Sequence, residues 1–273
     1  MDQKTNRIGV LIATPKRHYA GPQDLPKAVG RALHELATRG QAKEEADEAP
    51  SAADIRFRAE ADKYAFEFAI AVGSHSRARN ALVHEFLKSD CQFLLWVDDD
   101  LDSDPRDNQG TLADVILRLL SHRQPVVGAL YCKRAKRPQW VCSWLPESTL
   151  ADDTKGELLQ VLELGTGCKL YHRKVFTELR RIFGEEPDAA TPKGKSIFYR
   201  DRDSGETIAG FFQNCVIDGD LLSEDYYLDL LCRFTRIPIL VDTKIKLRHR
   251  AADGTVYPPD EFPPIPADGE TAT

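Results

Sequence analysis

The sequence predicts an α/β fold, a sheet of mostly parallel strands flanked by helices in a single domain. Short apolar runs alternate with segments of helical period along the first half of the chain. That order lays parallel strands side by side with helices across their faces. One run, Phe93-Leu94-Leu95-Trp96-Val97, is apolar at every position, as a strand covered on both faces must be. The chain has 273 residues and no internal repeat, enough for one large domain with a sizeable core.

The elements come in this order. Residues 8–13 read as a buried strand that Thr14-Pro15 ends. Residues 28–38 have helical spacing, and the polar stretch 40–54 reads as a solvated insertion. Residues 66–72 are a second strand. Residues 76–88 form a helix with Ser76 as its N-cap. After the strand at 93–97 come a helix at 112–120 and a strand at 125–131. The second half is less regular. Strands at 158–164 and 168–171 surround Gly165-Thr166-Gly167, and a helix spans 174–183. Residues 184–206 read as a loop, 224–234 as a helix and 237–241 as a strand. From 257 onward the chain is Pro-rich and acidic and reads as a disordered tail.

The net charge is -6, so any nucleic-acid contact must come from a local patch. No apolar run approaches a membrane span, and no signal-peptide pattern opens the chain. The six cysteines (91, 132, 142, 168, 215, 232) show no C-x-x-C spacing. They read as free, buried thiols in a reducing cytosol, not as a zinc site. A cytoplasmic location is therefore expected.

The strand at 93–97 stops abruptly in Asp98-Asp99-Asp100. Clustered carboxylates repel and raise one another's pKa unless a cation neutralises them. At the carboxyl end of a buried strand they face the crevice where open α/β sheets bind ligands. A hard divalent cation bridging them to substrate phosphates fits this arrangement. Asp98, Asp100, Asp102 and Asp104 also match the start of a calcium loop. Ser103 and Gln109, however, stand where that loop needs Gly and Glu. Asp102 and Asp104 read as a solvated turn.

Four further segments carry candidate chemistry. In Ser223-Glu224-Asp225, the serine caps a helix and the acids suit its first turn; equally, one acid serves as general base for an acceptor hydroxyl. His249 gains a role only if the fold brings it to the carboxylates, where a neutral imidazole completes a manganese or magnesium site. Arg77-Ala78-Arg79-Asn80 opens a helix, where arginines and backbone N–H groups favour phosphate; a solvated helix face is the plain alternative. Lys133-Arg134-Ala135-Lys136-Arg137-Pro138-Gln139-Trp140 is the one dense basic stretch. It grips a phosphate backbone with Trp140 as a stacking platform, holds a donor diphosphate, or is a solvated loop.

In this order the pieces resemble a glycosyltransferase of the GT-A fold, most closely small free-standing bacteriophage and bacterial members. The matching positions are the strand at 8–15, Asp98-Asp99-Asp100 as the D-x-D motif, Ser223-Glu224-Asp225 as the acidic helix start, and the C-terminal His249. Gly165-Thr166-Gly167-Cys168 looks like the glycine-containing acceptor loop. The resemblance spans residues 8–250. It implies a mixed, mostly parallel, Rossmann-like sheet, with a nucleotide-sugar half at 1–131 and an acceptor and metal half at 132–256. It also implies a nucleotide-sugar donor, a UDP-sugar by preference, and Mn2+ or Mg2+ neutralising the departing diphosphate. Asp100 and His249 would hold the metal, with Asp98 a further ligand nearer the ribose and Asp99 beside it. Thr14 and Pro15 would line the base pocket, and Arg77, Arg79 and Asn80 would approach the diphosphate. Asp225 would be the general base and Glu224 would orient the acceptor, giving inversion in one displacement. Gly165, Thr166, Gly167, Lys133, Arg134 and Trp140 would face the acceptor. The Q-x-x-R-W element of processive synthases is absent, so transfer of one sugar to a discrete acceptor is expected.

A hydroxymethylated pyrimidine in duplex DNA is the favoured acceptor, on the phage-like pattern, the basic stretch and the want of a membrane anchor. A surface glycan or protein is the other acceptor class. A metal-dependent nucleotidyltransferase or phosphohydrolase would use similar groups but release pyrophosphate or phosphate. A non-catalytic scaffold would have no need of Asp98, Asp100, Asp225 and His249.

Overall fold

Residues buried on both sides of a sheet have no reason to alternate, and the strands with unbroken apolar runs occupy its middle. The computed structural model describes residues 7–16, 27–39, 63–72, 74–103, 107, 110–135, 137–145, 158–184, 197–202, 204–250, 254–258 and 261–265. In chain order the strands and helices are β1 (Ile8–Lys16), α1 (Lys27–Arg39), β2 (Tyr64–Val72), α2 (His75–Lys88), β3 (Phe93–Val97), β4 (Leu101–Asp102), α3 (Leu112–Ser121), β5 (Val126–Tyr131), β6 (Cys142–Trp144) and β7 (Leu158–Leu164). They continue with β8 (Cys168–His172), α4 (Arg173–Phe183), β9 (Phe198–Arg200), β10 (Thr207–Ala209), β11 (Cys215–Ile217), β12 (Asp220–Leu222), α5 (Glu224–Phe234), β13 (Ile239–Arg250) and β14 (Val256–Tyr257).

The main sheet has the order β2-β1-β3-β8-β5-β13-β7-β6, with β4 and β14 paired to the far end of β13. Strands β2, β1, β3, β5, β13 and β6 run one way; β8 and β7 run against them. The sheet is thus mixed and mostly parallel, as expected. Helices α1 and α3 cover one face, where Val29, Leu36, Ile116 and Leu120 meet Val10, Leu95 and Val127. Helices α2, α4 and α5 cover the other, where Phe86, Phe176 and Leu228 meet Leu94, Trp96 and Val126. Alternate residues of β3 feed the two cores, so the whole strand is apolar.

Several boundaries differ from the sequence reading. Strand β1 runs through Pro15, because its pairing with β3 ends at Ala13 while that with β2 continues. At Thr14 the side chain replaces the ladder on the β3 side, its hydroxyl donating to Val97 O at 2.8 Å. Helix α2 is N-capped by Ser74, not Ser76. The stretch read as a loop at 184–206 contains β9, which pairs with β10. Strand β13 extends nine residues beyond Val241 to Arg250, carried past the site by new partners β4 and β14. The proposed insertion 40–54 lies outside the described residues, as do Asp104, Gln109 and Lys136. The stretch from 257 onward, read as a tail, has contacts where it is described: Phe262 and Ile265 pack against the second core. No helix among the described residues is long and apolar enough to cross a membrane.

Helix α2 carries His75, Arg77, Arg79 and Asn80 in its first turns, and Arg173 fixes its far end. The last carbonyls of a helix have no intrahelical partner. The Arg173 guanidinium donates to Phe86 O at 2.6 Å, Leu87 O at 3.1 Å, Ser89 O at 2.6 Å and Cys91 O at 2.7 Å. It also lies 4.6 Å from the centre of the Phe86 ring. Arg173→Ala is expected to lower stability by roughly 2–4 kcal/mol in urea titrations, since several charge-assisted bonds go at once. Arg173→Lys should recover little of this, because an ammonium cannot fork across four carbonyls.

Candidate active site

The site lies where β3 ends, β8 begins and α5 starts. The Asp98 N–H donates to Gly167 O at 2.7 Å, which joins the carboxylate run to the β7–β8 turn. That turn needs its glycines for close approach. A Cβ on Gly165 would come within 2.1 Å of the Tyr131 hydroxyl, and one on Gly167 within 2.7 Å of Leu101 Cδ1. The Tyr131 hydroxyl fills the gap and accepts the Gly167 N–H at 2.9 Å.

Arg79 is the centre of the arrangement. Its side chain is 3% exposed and meets three carboxylates: Asp225 Oδ1 at 3.0 Å, Glu224 Oε1 at 3.1 Å and Asp98 Oδ1 at 3.6 Å. Burial works against its charge, but Asp225, Asp98 and Glu224 outweigh it and hold the guanidinium above the usual arginine pKa. Its Nε has no hydrogen-bond partner among the described residues. Asp225 receives a second donor, the Thr166 N–H, on Oδ2 at 3.3 Å. His75 approaches Glu224 Oε1 with Nδ1 at 3.6 Å. Burial acts upward on Glu224, but the His75 hydrogen bond, the Arg79 charge and its own backbone N–H bring it down to about 2. Asp98 goes the other way. Burial raises it above the ordinary carboxylate value, helped by Asp225 and Asp99 and opposed by Arg79 and His75. Oppositely shifted carboxylates around one cation make this a candidate functional site.

A second polar pair lies beneath. Lys169 on β8 and Asp229 on α5 are both fully buried and ion-paired. Lys169 Nζ also donates to Leu164 O at 2.9 Å, and Asp229 Oδ2 accepts the Leu164 N–H at 2.7 Å. Burial pushes Asp229 up to about 6 against the pull of Lys169, so it is ionised at neutral pH. Asp225 and Asp229 are four apart on one helix face. Together they seat α5 on the two ends of the Leu164–Thr166 turn.

Asp98, Asp100 and His249 are donors of the kinds a hard cation takes, but their ligand atoms do not converge within 4.8 Å of one another. The His249 Nδ1–H donates to Cys132 O at 2.6 Å, a bond that leaves the proton on Nδ1 and the lone pair on Nε2. Burial, with Arg134 in support, lowers the His249 pKa despite the Cys132 carbonyl, so the imidazole is neutral. The ladder sets Leu101 against His249, and the Arg250 N–H donates to Asp100 O at 2.7 Å. Oxygen and imidazole donors of this sort fit Mn2+ or Mg2+. The Asp100 carboxylate is ion-paired to Arg134, and a cation there competes with that guanidinium. Among the described residues, the one trio of such side chains with ligand atoms within 4.8 Å is His84, Glu85 and Glu206. Lys88 Nζ already lies 2.9 Å from Glu206.

Other expected site residues sit elsewhere. Thr14 is fully buried on Val97 O, and Pro15 is buried, so neither hydroxyl nor ring opens to a base pocket. Arg77 pairs with Asp201 at 3.0 Å. Asn80 is committed to the backbone of Phe212, donating to its O at 3.0 Å and accepting its N–H at 2.8 Å. Arg79 faces carboxylates where a diphosphate was expected. Asp99 is exposed, and Asp102 pairs with Arg31 at 2.8 Å. Lys133, Arg134 and Arg137 are exposed on the basic loop. Trp140 is buried under Phe262, not open as a platform.

No family model matches this chain, and no curated protein does. Solved structures similar to it include A197 from STIV, at 13% identity and TM-score 0.44 over 95% of this chain and 99% of that one. A 4-diphosphocytidyl-2C-methyl-D-erythritol synthase from Anaerococcus prevotii is similar at 10% identity and TM-score 0.30, over 68% and 81%. A glycosyltransferase involved in glycosylation of the major capsid of PBCV-1 has 10% identity and TM-score 0.30, over 85% and 92%. Function has to come from the site's own chemistry.

Sequence reasoning missed Tyr131, His75, Lys169 and Asp229. Two signals were available. Tyr131 ends a buried strand at the same edge as Asp98, where open α/β sheets place ligands. Asp229 follows Asp225 at helical spacing.

Proposed function

We propose that this chain is a glycosyltransferase moving one sugar from a nucleotide-sugar donor to an acceptor hydroxyl, with inversion. The observation that carries the reading is the convergence of Asp98, Glu224 and Asp225 on the buried Arg79, at the carboxyl end of β3. Asp225 is the general base, with one oxygen on Arg79 and the other on the Thr166 N–H. It takes the acceptor proton as the acceptor oxygen bonds to the anomeric carbon. The bond from that carbon to the diphosphate breaks, and its electron pair leaves on the phosphate oxygen. Glu224, held ionised, and Arg79 keep the base oriented. Asp100, Asp98 and His249 would hold Mn2+ or Mg2+, which when bound neutralises the departing diphosphate. Arg134 stands exposed on the same loop as Lys133 and Arg137, where the three would meet an anionic acceptor. A hydroxymethylated pyrimidine in DNA is the acceptor this exposed basic loop supports.

A panel of nucleotide sugars with Mn2+, read by nucleoside diphosphate release, tests the reading. Release is expected with one donor and is expected to rise with hydroxymethylated DNA. Asp100→Ala should abolish the Mn2+-dependent part. Release of pyrophosphate would assign a nucleotidyltransferase, and no release with any donor would overturn the proposal.

A further inference from the structure

Phe262 lies on Trp140 with ring planes 9° apart and centroids 5.4 Å apart. Every other aromatic pair found in the described core is tilted or edge-on, from 44° for Tyr171–Phe176 to 86° for Phe93–His172. Offset stacking is one of the two arrangements that packed aromatic side chains favour, and it is also the way a nucleobase lies on an aromatic side chain. Arg248 Cζ stands 4.4 Å and Lys246 Nζ 5.8 Å from the centre of the Phe262 ring. Arg248 is also held by two bonds to Asp107, at 2.7 and 2.8 Å, and by donating to Pro258 O. Trp140, Lys246 and Arg248 thus frame one flat ring, with two cations beside it.

The occupant is held mainly by side-chain packing, with Phe262 and Ile265 against the second core. Residues 261–265 read Glu-Phe-Pro-Pro-Ile, and two prolines in succession offer no backbone N–H for a ladder. The polar link to the platform is Trp140 Nε1 donating to Pro264 O at 3.2 Å. The framed slot also adjoins the site. Val141, the residue after Trp140, donates to Tyr131 O at 2.9 Å and accepts the Gly165 N–H at 2.9 Å.

We propose that residues 261–265 are a removable strap over a nucleobase subsite, with Phe262 held where a base of the acceptor strand stacks on Trp140. The identity of the ring as a base rests on the DNA-acceptor reading above; the slot and its strap do not. A base turned out of a duplex would stack on the indole, and its flanking phosphates would meet Arg248, Lys246 and the exposed loop arginines. While the strap is down, apparent affinity is reduced by the fraction of molecules with the slot closed.

The test uses full-length Phe262→Ala and Phe262→Trp, with a fluorescein-labelled octathymidylate as probe and no donor present. Phe262→Ala is expected to bind about fivefold or more tightly than the wild type, the low end of what one stacked base contributes. Phe262→Trp, which keeps the stack, should show no gain. Iodide quenching of tryptophan fluorescence, measured in a Trp144→Phe background because Trp144 is half-buried while Trp96 is fully buried, should rise in Phe262→Ala and fall again on adding the oligonucleotide. Unchanged or weaker binding by Phe262→Ala, or quenching that the oligonucleotide does not relieve, would overturn the proposal. Tighter binding without nucleoside diphosphate release would uphold the strap and sink the transferase reading. Release on a glycan acceptor with no gain in oligonucleotide binding would do the reverse.

Discussion

Asp225→Asn is expected to slow sugar transfer by about two to four orders of magnitude, the range for loss of a general base, with the fold intact. The amide keeps the size of the side chain and can still accept the Thr166 N–H that reaches Oδ2 at 3.3 Å. It cannot take a proton from an acceptor hydroxyl. Arg79 retains Glu224 and Asp98 as counter-ions, so its buried charge is not stranded. Glu224→Gln should be much milder. A carboxylate held at about 2 is a poor proton acceptor at neutral pH, and its part is to orient Arg79. The measurement is single-turnover rate with saturating donor, beside thermal melting of each variant. If Glu224→Gln slows the step as much as Asp225→Asn, the two roles have been assigned in the wrong order.

Asp229→Ala is expected to cost about 3–5 kcal/mol of folding stability, because it leaves the Lys169 ammonium buried with its counter-charge gone. Leu164 O at 2.9 Å would be the one acceptor left from the present pair of partners. The Leu164 N–H would lose its acceptor as well. The double variant Lys169→Met/Asp229→Leu should recover most of the loss, since apolar replacement of a buried ion pair is often neutral or stabilising. Urea midpoints of the two variants decide this. Should Asp229→Ala melt within about 1 kcal/mol of wild type, an ordinary surface-substitution effect, the pair does not hold the turn. Activity adds a second readout. In the rescued double variant α5 is seated by packing alone, and turnover reports whether the ion pair also sets the position of Asp225.

Much of the sheet was legible because strands covered on both faces cannot alternate. Residues 93–97 and 126–131 announced themselves in this way, and the acids after Val97 marked the edge where Arg79, Glu224 and Asp225 gather. What escaped was set by partners far away in sequence. Beyond Val241 the chain turns polar, and nothing local says that a strand continues; it does so because β4 and β14 supply a ladder around His249. The arginine at 79 looked like a phosphate ligand because helix starts attract anions. Two of its three anions are carboxylates 145 and 146 residues away, a fact of tertiary packing. Asn80 was misread for the same reason, since the backbone it satisfies is 132 residues on. Trp140 was read as an open platform, but its face is covered by Phe262, from a segment whose composition suggested no fold at all.

Helix α2 is held at both ends, by Arg79 among the acids at its start and by Arg173 on its last carbonyls, with Asn80 tied to Phe212 between them. It is therefore the more firmly anchored flank of the acidic cluster. Compliance falls to the flank joined to the body through fewer bonds. The β11–β12 hairpin pairs only with itself among the described strands, and it leaves Val216 68% and Leu221 75% exposed as directly opposed residues. It ends at Leu222, with Ser223 alone separating it from Glu224 and Asp225. A body pressing on that hairpin would act on the two acids as on the short arm of a lever, against the more firmly anchored helix.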